Sequence, residues 1–302
     1  MAEQLPPTID PVAAALACPR AVHFAVAARR GGAAHGRPPP VDPPGTHRLV
    51  RLGPLRGGIE GHNLVARRYP EAACLIAETS SDAGRAQAQA RFAMPWWNPT
   101  RWAGKAPPRF GLPQDGGVQL LWSNMALHVA ANPQALIAQW HRALAVDGYL
   151  MFSCLGPDTV RELHGLYAAL GWPPAGHAMT DMHDWGDMLV HAGFAEPVMD
   201  MERITLTFAT PQRLLQELRE VGCNLHPQRF PALRGRRWRD RLEQALGDQL
   251  ADPSQGGQLA LTFEIVYGHA FKPAPRVKVS SSSAVSLQDM RAMLQGGRPG
   301  GA

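Results

Sequence analysis

Cysteine is scarce in this chain. The 302 residues hold four, Cys18, Cys74, Cys154 and Cys223, far apart and without the spacing of metal ligands. Cys74 and Cys154 fall inside apolar runs, so they read as buried thiols in a reducing, cytoplasmic setting. Long apolar runs are missing too, and none approaches the roughly 20 residues of a membrane span. The nearest imitation, PVAAALACPRAVHFAVAARR at 11–30, is interrupted by Arg20 and His23 and has its basic pair after the apolar stretch. It reads as an amphipathic helix, not an export signal. Charge is sparse at 18%, against 45% apolar residues, an ordinary proportion for a packed core. The excess is basic, with a net charge of +5, which favours acidic partners: nucleic acid, a membrane surface or an acidic carrier protein.

Proline and glycine are plentiful, at 28 and 30, and crowd the first 115 residues and the tail. Residues 1–44 read as a helix followed by a linker that cannot pack, GGAAHGRPPPVDPPG, and 274–302 as a mostly disordered tail. Between them, 45–273 reads as one α/β domain. Its organising stretch runs from Val118 to Glu202. Val118–Trp122 and Tyr149–Cys154 are short and apolar, as strands buried on both faces should be. Between them Asn132 can cap a helix that has Pro133 first and Leu136, Ile137, Trp140 and Leu144 on one face, and that Asp147-Gly148 ends. Strand, crossover helix and strand predict a mostly parallel, doubly wound sheet with ligands at the carboxyl ends of its strands. Those ends are Ser123-Asn124 and Gly156-Pro157-Asp158. Further helices are predicted over 157–170 and 184–192 and from Thr210-Pro211 onward, with strands at PVMDMERITLTF and LALTFEIVYGHAF.

One nucleotide site is suggested upstream. HRLVRLGPLRGG reads as a strand entering a glycine-rich turn, and AACLIAE as a second strand ending in Glu78. Trp96, Trp97 and Trp102 stand among prolines and basic residues, where they either seal the sheet edge or stack on a base.

SNMALH after one strand, MFSCLGPDTVREL on the next and DMHDWGDMLVHAGFAEPVMDMERITLTF resemble the malonyl-acyl-carrier-protein O-methyltransferases of biotin synthesis. These are class I S-adenosylmethionine (SAM) methyltransferases. The likeness is dense from Val118 to Leu218 and resumes at 259–273. It implies a Rossmann-like sheet with helices on both faces and SAM as methyl donor. The acceptor it implies is the free carboxylate of a malonyl thioester, on acyl carrier protein or coenzyme A. By position, Gly53, Gly57, Glu78, Ser123 and Asn124 match the cofactor site, with Glu78 as the ribose-binding acid. Arg51 stands where the family has an acid, and Leu55 where it has a glycine.

Carboxylate methylation needs no general base, because the acceptor is already ionised at neutral pH. Alignment of the reacting atoms and exclusion of water carry such a reaction, so neither a triad nor a metal cluster is expected. The carboxylate needs donors, and Arg161 and His183 are the candidates, since both follow strand ends on the binding side. His128 reads as structural. The arginines at 229, 234, 236, 237, 239 and 241 suit an acidic carrier protein. Nucleic acid ranks below that partner, because no recognised nucleic-acid motif accompanies the charge. The competing reading is a non-catalytic relative that keeps the fold and a partner surface but has lost its cofactor turn.

Overall fold

The computed structural model describes residues 9–16, 48–52, 61, 64–65, 67–69, 72–77 and 109–275. The linker, the segment holding Trp96, Trp97 and Trp102 and nearly all of the tail lie outside the described residues, as do Gly53, Leu55, Gly57 and Glu78.

Eight strands form one sheet: β1 (Arg48–Leu52), β2 (Ala73–Ala77), β3 (Arg109–Phe110), β4 (Val118–Asn124), β5 (Leu144–Leu155), β6 (Ala195–Phe208), β7 (Ala251–Asp252) and β8 (Gln258–Phe271). Their order is β3-β2-β1-β4-β5-β8-β6, with β7 attached to β8. The first five strands are parallel, and β8 runs antiparallel to both neighbours, β5 and β6. The chain moves outward from β1 to β3, then returns to lay β4 on the other flank of β1. That reversal is a topological switch point, with its crevice outside the carboxyl ends of β1 and β4.

Alternation along β4 sends side chains to two different cores. Leu121 joins Phe152 and Val266 under Ile137 and Trp140 of α2 (Pro133–Ala143) and Trp185 and Leu189 of α4 (Met182–His191). Leu120 and Trp122 join Tyr149 on the opposite face, under Val65 of the helical stretch after β1. Helices therefore cover both faces, as the sequence predicts. A third cluster joins α3 (Arg161–Ala169), α5 (Pro211–Val221) and α6 (Arg236–Leu250) to Leu261 and Phe263 of β8. Trp140 and Trp185 are almost wholly buried, each contributing on the order of 1.5–3 kcal/mol or more. No helix among the described residues is long and apolar enough to cross a membrane.

Local signals explain most element ends. Asn132 caps α2 by accepting the Ala135 N–H at 2.9 Å. Thr210 does the same for α5 at Arg213 N. Two boundaries differ from expectation. Helix α2 ends at Ala143, not at Asp147-Gly148, and β5 starts at once. Asp147 instead takes a left-handed conformation (φ 61) inside an irregular start to β5. An added Cβ at Gly148 would lie 2.7 Å from the Ala145 carbonyl oxygen, so the bend needs glycine. The helix predicted from residue 157 begins at Arg161, because Val160 is left-handed (φ 51).

Of the predicted N-terminal helix, α1 (Pro11–Leu16) is described. Asp10 caps it by accepting N–H groups from Val12 and Ala13, and takes Arg229 Nη1 at 2.7 Å. Ile9 and Ala14 pack on Leu225. Cys154 is buried, Cys74 half-buried and Cys223 exposed, all three as free thiols.

Candidate active site

The crevice at the switch point is built from the ends of β1 and β4, where Leu52 pairs with Ser123. Ser123 is fully buried, and its hydroxyl has no hydrogen-bond partner among the described residues. Leaving such a hydroxyl dry is costly unless something else bonds it. Asn124 accepts a hydrogen bond from the Ser153 hydroxyl of β5. Gly61 packs directly above, where an added Cβ would fall 2.8 Å from Trp122 Cη2 and 3.8 Å from Asn124 Nδ2. Met125, the next residue, is left-handed (φ 54), and its N–H bonds the Ser153 carbonyl at 2.8 Å. Left-handed non-glycine residues cost energy, and here two of them, Met125 and Val160, flank the strand ends.

The exit of β5 is organised by Glu264, 2% exposed. Its carboxyl accepts Asp158 N–H at 3.1 Å, and its backbone oxygen takes Gly156 N–H at 2.9 Å and the Thr159 hydroxyl at 3.1 Å. Arg203 Nε lies 2.6 Å from Asp158 Oδ2 and 3.8 Å from Glu264 Oε2. Val160 N–H bonds the Thr262 carbonyl at 2.7 Å, which holds the strained residue in place. Glu162 caps the same strand by accepting Thr262 N–H and Oγ1–H. Burial works to raise its pKa, but these bonds prevail and hold it below the usual carboxylate value.

Beside these strand ends lies a cavity of about 560 Å³, roofed by α3, α5 and α6. Met125, His128, Leu155 and Thr159 line its end nearest the strands, and Arg219 and Arg234 also line it. His128 Nδ1 accepts Leu155 N–H at 3.3 Å, so in the neutral ring the proton sits on Nε2. His177 Nε2 sits 3.0 Å from the His128 carbonyl oxygen. Its pKa is lowered, chiefly by burial, which keeps the His177 ring uncharged near neutral pH.

The structure brings Ser123 and Asn124 to one crevice. Arg161 and His183 do not join the cavity lining. Arg161 is tied to Glu162 at 3.3 Å and to Asp158 at 3.6 Å. His183 lies in the first turn of α4 with its ring 79% exposed and Nδ1 2.7 Å from Asp181, the residue that caps that helix. His128, expected to be structural, does bond the backbone but also lines the cavity. Arg219, His177 and Tyr167 were not anticipated. Within the arginine cluster, Arg229 holds Asp10, Arg239 pairs with Glu243 at 2.6 Å, and Arg234 and Arg239 reach the cavity.

The chain is 38% identical over 241 residues to the malonyl-[acyl-carrier protein] O-methyltransferase of Laribacter hongkongensis, which is 76% of this chain and 79% of that protein. It belongs to that family. The malonyl-[acyl-carrier protein] O-methyltransferase of Gallionella capsiferriformans is 41% identical over 170 residues, 56% of this chain and 57% of that one. Against that relative the match spans little more than half the length of either protein. No family model matches the chain. Among solved structures, the YcgJ protein of Bacillus subtilis is 14% identical, with 76% of this chain and 93% of that chain covered and a TM-score of 0.48.

Proposed function

We propose that the chain is a SAM-dependent O-methyltransferase that esterifies the free carboxylate of a malonyl thioester. The acyl group would be borne on acyl carrier protein, or on coenzyme A as a lesser substitute. This is the step the sequence resemblance assigns to biotin synthesis. The observation that carries the reading is the placement of the cavity. It opens against Met125 and Leu155, directly past the carboxyl ends of β4 and β5 and next to the switch-point crevice, in a chain of this family.

The crevice fits the methyl donor. A buried serine hydroxyl without a partner among the described residues and a helix glycine pressed on Trp122 suit close approach of a polar ligand. SAM, when bound, supplies an electrophilic methyl group on a sulfonium. Ser123 and Asn124 would hold it from β4; Gly53, Gly57 and Glu78, outside the described residues, are its other candidates by sequence position. The acceptor carboxylate needs only orientation and a dry site. In this reading His128 and uncharged His177 line the cavity beside it. Arg161 acts through the Asp158, Arg203 and Glu264 network rather than on the carboxylate, and His183 stands at the outer approach.

Calorimetric titration with SAM and its demethylated product tests the first half, and transfer of labelled methyl to malonyl-acyl carrier protein the second. Micromolar binding with esterification is expected. Glu78→Ala should then weaken SAM binding about tenfold or more, the loss of charged hydrogen bonds to ribose. Absence of binding at millimolar ligand would establish the competing reading, a relative that lost its cofactor turn at Arg51 and Leu55.

A further inference from the structure

The cavity is far larger than a malonyl group requires. At about 560 Å³ it has the size of pockets that enclose whole drug-sized ligands, roughly 300–1,000 Å³. Leu163, Leu215, Leu218 and Phe263 make much of its wall apolar. A carboxylate delivered to the strand ends must bring its thioester-linked arm with it, and such an arm is long, mostly neutral and ends in a phosphate.

Arg234 is built to receive an anion. It lines the cavity, and its guanidinium carbon lies 4.0 Å from the ring centre of Trp238 and 4.8 Å from that of Phe230. Trp172 packs against both rings, at 5.0 and 6.1 Å between centroids, which fixes them. Stacking on ring faces orients a planar guanidinium while leaving its N–H edges for a bidentate partner. Tyr167 lies beside it: burial raises the hydroxyl's pKa, and the charge and hydrogen bond of Arg234 pull it back. Arg203, Arg213, Arg229 and Arg239 are each paired with a carboxylate. Among the described residues no carboxylate lies within ion-pair distance of Arg234, which the rings hold instead. The strand end of the cavity is the reacting end. An anion at Arg234 is therefore a different group from the acceptor.

We infer that Arg234, clamped by Phe230 and Trp238, binds the phosphate of the phosphopantetheine arm that carries the acyl group, with the arm lying along the cavity. The inference rests on the carrier-linked thioester reading above.

Binding of 4′-phosphopantetheine and of pantetheine to the full chain, measured by calorimetry without methyl donor, tests it. Wild type should prefer the phosphorylated arm by about tenfold or more, the expected effect of a charge-assisted bidentate contact. Arg234→Gln should erase that preference, Arg234→Lys should keep part of it, and Arg237→Gln should leave it intact. A preference that survives Arg234→Gln, or equal weakening of both arms, overturns the assignment. So does an equal drop in methyl transfer to malonyl-phosphopantetheine and malonyl N-acetylcysteamine, since that would put Arg234 on the acyl carboxylate. An intact phosphate preference without any methyl transfer counts against the reaction and not against the site.

Discussion

Gly156→Ala is the most direct probe of the network that shapes the cavity floor. An added Cβ would lie 2.6 Å from Glu264 Oε1, 2.8 Å from its Cδ and 2.9 Å from its Cγ. Neither side can retreat easily. The Gly156 backbone is bonded to Glu264 through its own N–H, and the Glu264 side chain is enclosed and holds Asp158 N–H. If the carboxyl moves, a buried donor loses its partner, at about 1–3 kcal/mol. If the backbone moves, the overpacking costs about 1–3 kcal/mol. We expect a loss of about 1–3 kcal/mol, or roughly 2–12 °C in Tm at the about 2–4 °C per kcal/mol of chains this large. Glu264→Ala alone should also destabilise, since Asp158 N–H is then orphaned. The double variant is decisive. With no carboxyl to meet, the new Cβ is nearly harmless, so the double should be more stable than the sum of the singles by about 1–3 kcal/mol. Thermal melts of the four proteins measure this directly. Additivity within about 0.5 kcal/mol would refute the claim that Gly156 is there to make room for Glu264.

Three other outcomes follow from the same coordinates. Ser123→Ala should leave the ligand-free protein as stable or more stable, because it removes a buried hydroxyl with no hydrogen-bond partner among the described residues, while weakening SAM binding by up to about tenfold, read by calorimetry. Replacing Arg236, Arg237 and Arg241 with Gln should hardly change Tm, each exposed charge being worth about 0–1 kcal/mol. It should slow carrier association by about tenfold or more at low salt, and salt-independent association equal to wild type would contradict it. Asp181 has its folded pKa lowered by the His183 N–H bond, which outweighs a small burial effect, with the His183 ring helping. Its contribution is therefore full above the unfolded value of about 3.9 and is lost as pH falls through the lower folded value. Asp181→Ala should cost about 1 kcal/mol at neutral pH and almost nothing in strong acid, as seen in paired melts.

The sheet was legible where one strand could be read without its neighbours. Val118–Trp122 and Tyr149–Cys154 announce themselves as apolar runs, and Asn132-Pro133 marks the start of α2 by a mechanism local to four residues. What lay between elements was not legible. That β8 separates β5 from β6 depends on pairing partners far apart in sequence, which the alternation of PVMDMERITLTF cannot specify. The early start of α3 predicted from Pro157 failed because Val160 is held left-handed by Thr262, a residue a hundred positions away. The cavity is assembled from Met125, Tyr167, Arg219, Arg234 and Phe263, on five separate segments, so periodicity could not reveal it. A signal for Arg234 did exist: aromatic residues four positions before and after it, Phe230 and Trp238. Arg161 and His183 were favoured for following strand ends, a rule that places residues on the right side of the sheet without saying which way they face.

Among the described residues, strand β6 pairs with β8 alone, and β8 is the last of the described strands to be made. As the chain leaves the ribosome, β1 to β5 can assemble with the helices between them, but β6 waits with both edges open while α5 and α6 emerge. Only when β8 arrives can it slot between β5 and β6, pairing with both at once. Long-range pairing of this kind is slow and leaves strand edges exposed in the interval. The roof helices α3, α5 and α6 rest on Leu261 and Phe263 of that same strand, so the chamber they cover is complete only once β8 is in place. A chain stopped before residue 258 would keep the parallel half-sheet and lose the chamber entirely.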